Sequence, residues 1–147
     1  MGSVGLSQAS RIVDAALAKG RETGCDPLTV VVLDAGGHLV AAKREDGSGI
    51  LRFEIAFGKA WGALGMGFGS RTYVERAKVN PAFVTALMAA SGGRVVPVPS
   101  GVLIRDTGGQ VIGAVGISGD TSDRDEVCAL AGIAAVGLTA DPGGPPG

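Results

Sequence analysis

The sequence predicts a single α/β (α+β) domain in which a largely antiparallel sheet is flanked by helices. Helical and strand-like segments alternate in the order α, β, β, α, α, β, β, α. Two turns of the form D-x-G-G, at residues 34–37 and 106–109, join apolar segments into hairpins. Hairpins set neighbouring strands antiparallel and leave the helices to cover the sheet. We expect the domain to span residues 1–138 and the Gly/Pro-rich residues 139–147 to form a disordered tail.

The first half of the chain predicts a helix, a hairpin and a second helix. Leu6 to about Thr23 repeats apolar residues at helical spacing, with Ser7 as the N-cap. Residues 28–33 form a nearly wholly apolar run, typical of a strand covered on both faces, and residues 38–44 return beside it. The second helix runs from residue 50 or 51 to Leu64 and stops at a Gly-rich segment.

The second half predicts two more helices, another hairpin and a closing helix. A short helix lies around residues 73–78, and Asn80 caps the next one, which reaches about Ala90. Two prolines make residues 94–99 an edge strand or an irregular arm. The remaining elements are strands at 102–105 and 110–118 and a helix over about 123–137, where Ser122 and Asp125 resemble a capping box.

Composition excludes several classes of protein. The 147 residues include 26 Gly, with 46% hydrophobic and 18% charged residues, so the chain can bury a core and is not disordered. The net charge of −1, without a basic block, argues against nucleic-acid partners. The sequence contains neither a signal-peptide pattern nor an apolar run of membrane-spanning length. Two distant cysteines suit reduced thiols, so we expect a cytoplasmic protein.

Polar residues near the start of the second helix form the first candidate site. His38, the single histidine, is either a solvated turn residue, an axial haem ligand or a general base. Arg44 and Asp46 form either a solvated hairpin exit or the approach to the helix that carries Glu54 and Lys59. Since Lys59 falls in an apolar stretch, its ammonium group either extends to solvent or binds an anion.

The start of the last helix forms a second candidate wall. Backbone N–H groups after the loop containing Ser118 can hold a carboxylate. Asp123, Asp125 and Glu126 either complement the helix dipole or take part in the chemistry, and no calcium-loop spacing is present. A group of larger apolar side chains forms either a pocket lining or part of the core: Phe57, Trp61, Met66, Phe68 and Met88.

Three segments give the chain a family resemblance. They are VVVLDAGGHLVAAKREDG at 30–47, FEIAFGKAWGA at 53–63, and GVLIRDTGGQVIGAVGISGDTSDRDEVCALAGIAA at 101–135. The chain resembles the GlcG-like small proteins, the haem-degrading-domain or haem-binding HbpS-like family, up to about Leu138. The chain departs from the family pattern at Glu45, where a hydrophobic residue is usual, and at Arg52, where a small residue is usual. It also departs at residues 100–104, which read SGVLI in place of the family's G-G-x-P-I.

The resemblance implies a five-stranded antiparallel sheet and homo-oligomers, from dimers to octamers. It also implies haem or a related tetrapyrrole as ligand. The recurrent polar positions of the family fall on Arg44, Asp46, Lys59, Ser118, Asp125 and Glu126.

We therefore expect a small-ligand-binding protein for haem or a similar anionic tetrapyrrole, with haem degradation as a further activity. Arg44, Arg52 and Lys59 would pair with propionates, and Asp46, Glu54 and Ser118 would complete the ligand site. His38 would ligate the iron, with Tyr73, Met66 and Cys128 as alternatives.

The alternative is a cofactor-independent enzyme that acts on a small carboxylated or oxygenated metabolite. Lys59 and Arg44 would then anchor an oxyanion, and Asp125, Glu126 or His38 would move protons. A purely structural oligomer is the third hypothesis. In each case the expected partners are a small molecule or copies of the chain, with neither nucleic acid nor membrane.

Overall fold

The computed structural model describes residues 2–144 as one sheet covered by helices on both faces. All strand pairs are antiparallel, in the order β2-β1-β4-β3-β5, which confirms the predicted fold class. The elements are α1 (Leu6–Glu22), β1 (Thr29–Asp34), β2 (Leu39–Arg44), α2 (Arg52–Met66), α3 (Arg71–Val79), α4 (Pro81–Ala90), β3 (Gly101–Arg105), β4 (Val111–Ser118), α5 (Ser122–Ala135) and β5 (Thr139–Asp141).

The two faces of the sheet build two separate apolar layers. Because successive strand residues point to opposite sides, Val30 and Val32 of β1 pack with α1 and α5, whereas Val31 and Leu33 pack with α2. All four side chains are fully buried. The prediction of a first strand covered on both faces is therefore confirmed.

Helix α2 lies unusually close to the sheet because glycines face it. A Cβ atom built on Gly116 of β4 would overlap the carbonyl oxygen of Ala56, and one on Gly101 of β3 would overlap that of Lys59. The small side chains of Ala60 and Ala63 fill the same layer. This close approach fixes the position of Lys59 relative to β3 and β4.

Two predicted N-caps differ from the structure, and one is confirmed. Helix α1 begins after Gly5 without a side-chain cap, because Ser7 already lies inside the first turn. Helix α5 is capped by Thr121, whose extended backbone lets its hydroxyl accept from the Arg124 N–H at 3.3 Å, whereas Ser122 is already helical. Asn80 caps α4 as predicted, since its side chain accepts from the Phe83 N–H at 3.3 Å.

The fifth strand comes from the predicted tail. Residues 94–99 form the irregular arm and not an edge strand. The strand that pairs with the free side of β3 is Thr139–Asp141. Asp141 also accepts from the Arg105 guanidinium at 3.0 Å, a contact that composition alone does not reveal. The prediction of disorder is thus wrong for residues 139–141, while residues 145–147 lie outside the described residues. Within residues 2–144, no helix has the length and apolar character needed to cross a membrane.

Candidate functional site

Polar residues gather at one end of the sheet, on the face covered by α2. Thr29 of β1 lies between Arg44 of β2 and Ser118 of β4, and its register places all three on this face. Thr29 and Ser118 are buried, and Thr29 Oγ1 is 2.8 Å from Ser48 Oγ. Arg52, the first residue of α2, donates from Nη1 to Ser118 Oγ at 3.1 Å. We call Thr29, Arg44, Ser48, Arg52 and Ser118 the polar end.

Lys59 forms a buried ion pair next to the polar end. Its side chain is 2% exposed, and its Nζ donates to the Ile117 carbonyl at 2.8 Å and lies 3.5 Å from Asp125 Oδ2. Burial lowers the pKa of Lys59, and the charge of Asp125 opposes this shift. Burial likewise raises the pKa of Asp125. Lys59 therefore does not extend to solvent, and a carboxylate of the chain compensates its charge.

The other acids at the start of α5 have structural partners. Arg71 of α3 donates from Nε to both carboxylate oxygens of Glu126, at 3.1 and 3.0 Å, and it also pairs with Asp123. These contacts tie α3 to α5 as well as complementing the helix dipole. Glu54, by contrast, is exposed at the start of α2 and has no ion-pair partner within residues 2–144.

His38 lies at the opposite end of β1 from the polar end. Its side chain is 80% exposed, and Nδ1 is 3.2 Å from Asp34 Oδ1. Backbone N–H groups of His38 and Gly36 donate to Asp34, which lowers the pKa of that carboxyl. Asp34 faces Gly113 whereas Thr29 faces Ser118, so five residues, roughly 17 Å, separate the two ends. The predicted grouping of His38 with Arg44, Arg52 and Lys59 around one ligand does not occur within one chain.

The three alternative iron ligands differ in accessibility. Tyr73 is buried, donates to the Gly62 carbonyl at 2.6 Å, and has its pKa raised to about 12 by burial. Cys128 is buried in the layer of α1 and α5, and burial raises its pKa to about 12. Met66, at the end of α2, is partly exposed and borders a cavity.

The outer side of α2 carries an incompletely covered aromatic stripe. Phe53, Phe57 and Trp61 follow at four-residue spacing and therefore share one helix face. The guanidinium of Arg94 lies 5.0 Å from the centre of the Trp61 ring. Three cavities lie along this stripe, and together we call them the aromatic groove. The first, of about 250 Å³, is lined by Phe53, Glu54, Phe57, Gly92, Gly93 and Arg94. The second, of about 140 Å³, is lined by Ala35, Gly36, Gly37, Trp61, Leu64 and Gly65, and the third, of about 200 Å³, by Trp61, Gly65, Met66, Leu87, Ala90, Ser91 and Val95.

Sequence reasoning found part of this groove and missed the rest. The groove is lined by Phe57, Trp61 and Met66, in agreement with the interpretation of these side chains as a pocket lining. Phe68 instead packs against Tyr73, with ring centres 5.0 Å apart. Arg94 was not among the candidates, because nothing in residues 94–99 indicates that the arm crosses α2. The four-residue aromatic spacing was the available signal.

A polar cavity of about 460 Å³ opens near the hairpin exit. Arg44, Glu45 and Asp46 line it together with Arg21 and Pro27. Arg21 is occupied by the chain, since it donates to the Cys25 carbonyl at 2.8 Å and pairs with Glu45 at 3.0 Å. Across residues 2–144, no group of three or more His, Cys, Asp or Glu side chains is arranged to hold a metal ion.

Comparison with known proteins finds relatives over most of the chain. An uncharacterised 15.0 kDa protein from the dhaT–dhaS intergenic region of Citrobacter freundii is 28% identical over 127 residues, which cover 86% of this chain and 87% of that protein.

Solved structures share the fold. PduOC in complex with haem has a TM-score of 0.84 at 24% identity, covering 93% of this chain and 97% of its own. Klebsiella pneumoniae ORFY has a TM-score of 0.81 at 25% identity, with 91% and 90% covered. HbpS has a TM-score of 0.75 at 24% identity, with 90% and 89% covered.

The family model agrees with the resemblance read from the segments at 30–47, 53–63 and 101–135. The model that describes haem-degrading HbpS-like proteins matches residues 4–134, which include four of the five strands and almost all of α5. The chain therefore belongs to the HbpS-like family of haem-degrading proteins.

Proposed function

We propose that the protein binds haem, or a related anionic tetrapyrrole, in the aromatic groove. The observation that carries this proposal is the incompletely covered stripe of Phe53, Phe57 and Trp61 beside a cationic side chain. A flat apolar ring packs favourably against aromatic side chains. The family and the haem complex of PduOC support the choice of ligand.

The groove residues fit the parts of haem. Arg94, which faces Trp61, is suited to pair with a propionate. The cavity of about 140 Å³ is lined by Gly36, Gly37 and Gly65, which present no side chain that would hold a flat ring away. The ring of His38 lies beside Gly36, which lines this cavity, and we assign this imidazole as the ligand of the iron. Bound haem supplies that iron, the group on which haem-degrading chemistry depends.

Hemin titration of the purified chain tests this proposal. We expect a saturable Soret band with wild-type protein, and a shifted or lost band with His38→Ala. Arg94→Gln should weaken hemin binding by about tenfold, because one charge-assisted pair is lost. Arg76→Gln is the matched control, since Arg76 lies 5.4 Å from the Phe68 ring centre, away from the groove.

Two results would overturn the proposal. A flat hemin titration would exclude haem as the ligand. Hemin binding that is unchanged in both His38→Ala and Arg94→Gln would exclude the groove as its site. Haem degradation is measured separately, as the decay of the Soret band after ascorbate is added in air.

We also propose that copies of the chain associate through apolar helix surfaces. Ile50 is 87% exposed, and Leu51 and Phe53 beside it are also exposed. Eight of the ten residues of α4 are apolar, yet Val84 is the one residue of this helix that is buried. Exposed apolar patches of this kind mark protein interfaces. Light scattering on wild-type protein and on Ile50→Lys should show a dimer or larger species that the charge weakens, and a wild-type monomer would contradict this.

A further inference from the structure

We infer that Asp34 is a positioning residue for His38: it holds the imidazole with the proton on Nδ1, so that Nε2 is the atom presented to the iron. The inference rests on the proposed function for the identity of the metal, and it adds the ligand atom and the group that orients it. Both residues belong to the turn between β1 and β2. This turn packs against the aromatic groove, since a Cβ atom built on Gly37 would lie 3.1 Å from Cδ1 of Trp61.

The first argument is the fixed position of the Asp34 carboxylate. Its Oδ1 accepts from the backbone N–H groups of Gly36 at 2.9 Å and of His38 at 3.0 Å. The turn itself is closed by main-chain bonds, from Asp34 N to the His38 carbonyl at 2.9 Å and from Gly37 N to the Asp34 carbonyl at 3.0 Å. The acceptor is therefore held in place by the backbone before any ligand arrives, as an orienting group must be.

The second argument is the direction of the bond between the two side chains. His38 Nδ1 lies 3.2 Å from Asp34 Oδ1. An aspartate is ionised at neutral pH and its oxygens then only accept, so this bond requires the proton on Nδ1. A neutral imidazole carries one proton, which leaves the lone pair of Nε2 free. Within residues 2–144, Nε2 has no hydrogen-bond partner, and the His38 side chain is 80% exposed, so an outside ligand can reach this atom.

The third argument is a comparison with the second D-x-G-G turn. Asp106 Oδ1 accepts from the N–H groups of Gly108 and Gln110, both at 2.9 Å, which is the arrangement found at Asp34. The turn backbone alone therefore accounts for an aspartate at both positions. The first turn differs because its fifth residue is a histidine, whose ring makes the additional bond. Gly36 leaves space for that ring, since a Cβ atom there would come within 2.9 Å of the imidazole Cε1.

The contact has a consequence for bound iron. A carboxylate that accepts from the Nδ1–H of a ligating imidazole makes that imidazole a more basic ligand. A more basic ligand stabilises ferric iron more than ferrous iron, and hydrogen bonding around the axial ligand is one of the means by which a protein sets the haem potential. Asp34 should therefore favour ferric haem.

Nitrogen NMR of haem-free protein at pH 8 tests the tautomer, because the single histidine gives one pair of ring nitrogen signals. We expect the Nδ1–H form to predominate in wild type. In Gly36→Ala we expect a mixture of both tautomers, because the methyl group displaces the ring from Asp34. Gly108→Ala is the matched control and should keep the wild-type signals, since its nearest contact would be Asp106 Oδ1 at 3.4 Å. A mixture in wild type, or a predominant Nε2–H form, overturns the inference.

The reduction potential of hemin-loaded protein, measured without oxygen, tests the effect on iron. Asp34→Asn keeps an oxygen for the two backbone N–H groups and removes the charge. We expect its Fe(III)/Fe(II) potential to be more positive than that of wild type, and its affinity for ferric haem to fall roughly tenfold. Asp106→Asn makes the same change in the second turn and should leave both quantities unchanged.

The outcomes separate this inference from the proposed function. A potential in folded, hemin-loaded Asp34→Asn that equals the wild-type value overturns the inference and leaves haem binding standing. A flat hemin titration of wild type overturns the proposed function instead. In that case the tautomer measured in haem-free protein still decides whether Asp34 orients His38.

Discussion

Replacing Asp125 by Asn should expose the energetic role of the buried ion pair. The substitution keeps the shape of the side chain and an oxygen for the Asp120 N–H, which donates to Asp125 Oδ1 at 3.0 Å. It removes the charge that compensates Lys59, whose side chain is 2% exposed. Leaving one buried charge unpaired costs about 3–5 kcal/mol of unfolding free energy. For a chain of this size, that corresponds to a decrease in melting temperature of roughly 6–20 °C.

Urea unfolding followed by the fluorescence of Trp61, the single tryptophan, measures this change. Asp123→Asn is the matched control, because Asp123 lies in the same helical turn but is exposed. Loss of the Asp123 charge, which pairs with Arg71 at the surface, should lower the free energy of unfolding by less than about 1 kcal/mol. A double variant, Lys59→Met with Asp125→Asn, should recover most of the stability, since it removes the unpaired charge and keeps the oxygen that accepts from the Asp120 N–H.

The pH dependence gives a second readout. In Asp125→Asn the pKa of Lys59 should decrease further, because the stabilising charge is gone while burial remains. Between that pKa and the ordinary lysine value of 10.5, the unfolded chain binds more protons than the folded one. Stability of the variant should therefore rise with pH across this window, more steeply than in wild type. The reasoning is refuted if Asp125→Asn lowers the free energy of unfolding no more than Asp123→Asn does. It is also refuted if the stability of Asp125→Asn follows pH in parallel with that of wild type.

Three further results are expected. Gly116→Ala should unfold the chain or destabilise it by several kcal/mol in urea, because its Cβ would overlap the Ala56 carbonyl, whereas Gly65→Ala should be tolerated. Cys128 should resist a thiol reagent at pH 8 until the protein unfolds, since its pKa of about 12 leaves about one thiolate in ten thousand; rapid labelling of folded protein would contradict this. Tyr73→Phe should cost about 1 kcal/mol by removing the bond to Gly62, and an unchanged melting temperature would argue against that bond.

Local chemistry explains why much of the fold was predictable. The turns at 34–37 and 106–109 each contain a glycine in the left-handed region, Gly37 with φ 83° and Gly109 with φ 84°, and the sequence marks both. Asn80 before Pro81 likewise marks a helix start that depends on neighbouring residues alone. The fifth strand was missed because Thr139–Asp141 forms a strand through pairing with β3, a contact remote in sequence.

The candidate site was less predictable for the same reason. Lys59 on the inner face of α2 was identifiable by its apolar neighbours, but its partner Asp125 lies 66 residues away. His38 lies near Asp34 at one end of β1 and Ser118 pairs with Thr29 at the other end, which follows from strand register and not from sequence. The neighbourhood of Arg94 depends on the path of an irregular arm, which has no periodic pattern to read.

The sheet has two outer strands, and they are unequally protected against pairing with another chain. At one side, the three residues of β5 offer a very short edge. At the other, β2 is mostly exposed along its length, and it ends in Lys43 and Arg44. Lysine and arginine on an outer strand discourage a second strand from adding to it, because like charges from another copy would be brought together. Strand-mediated aggregation is therefore disfavoured at both borders of the sheet.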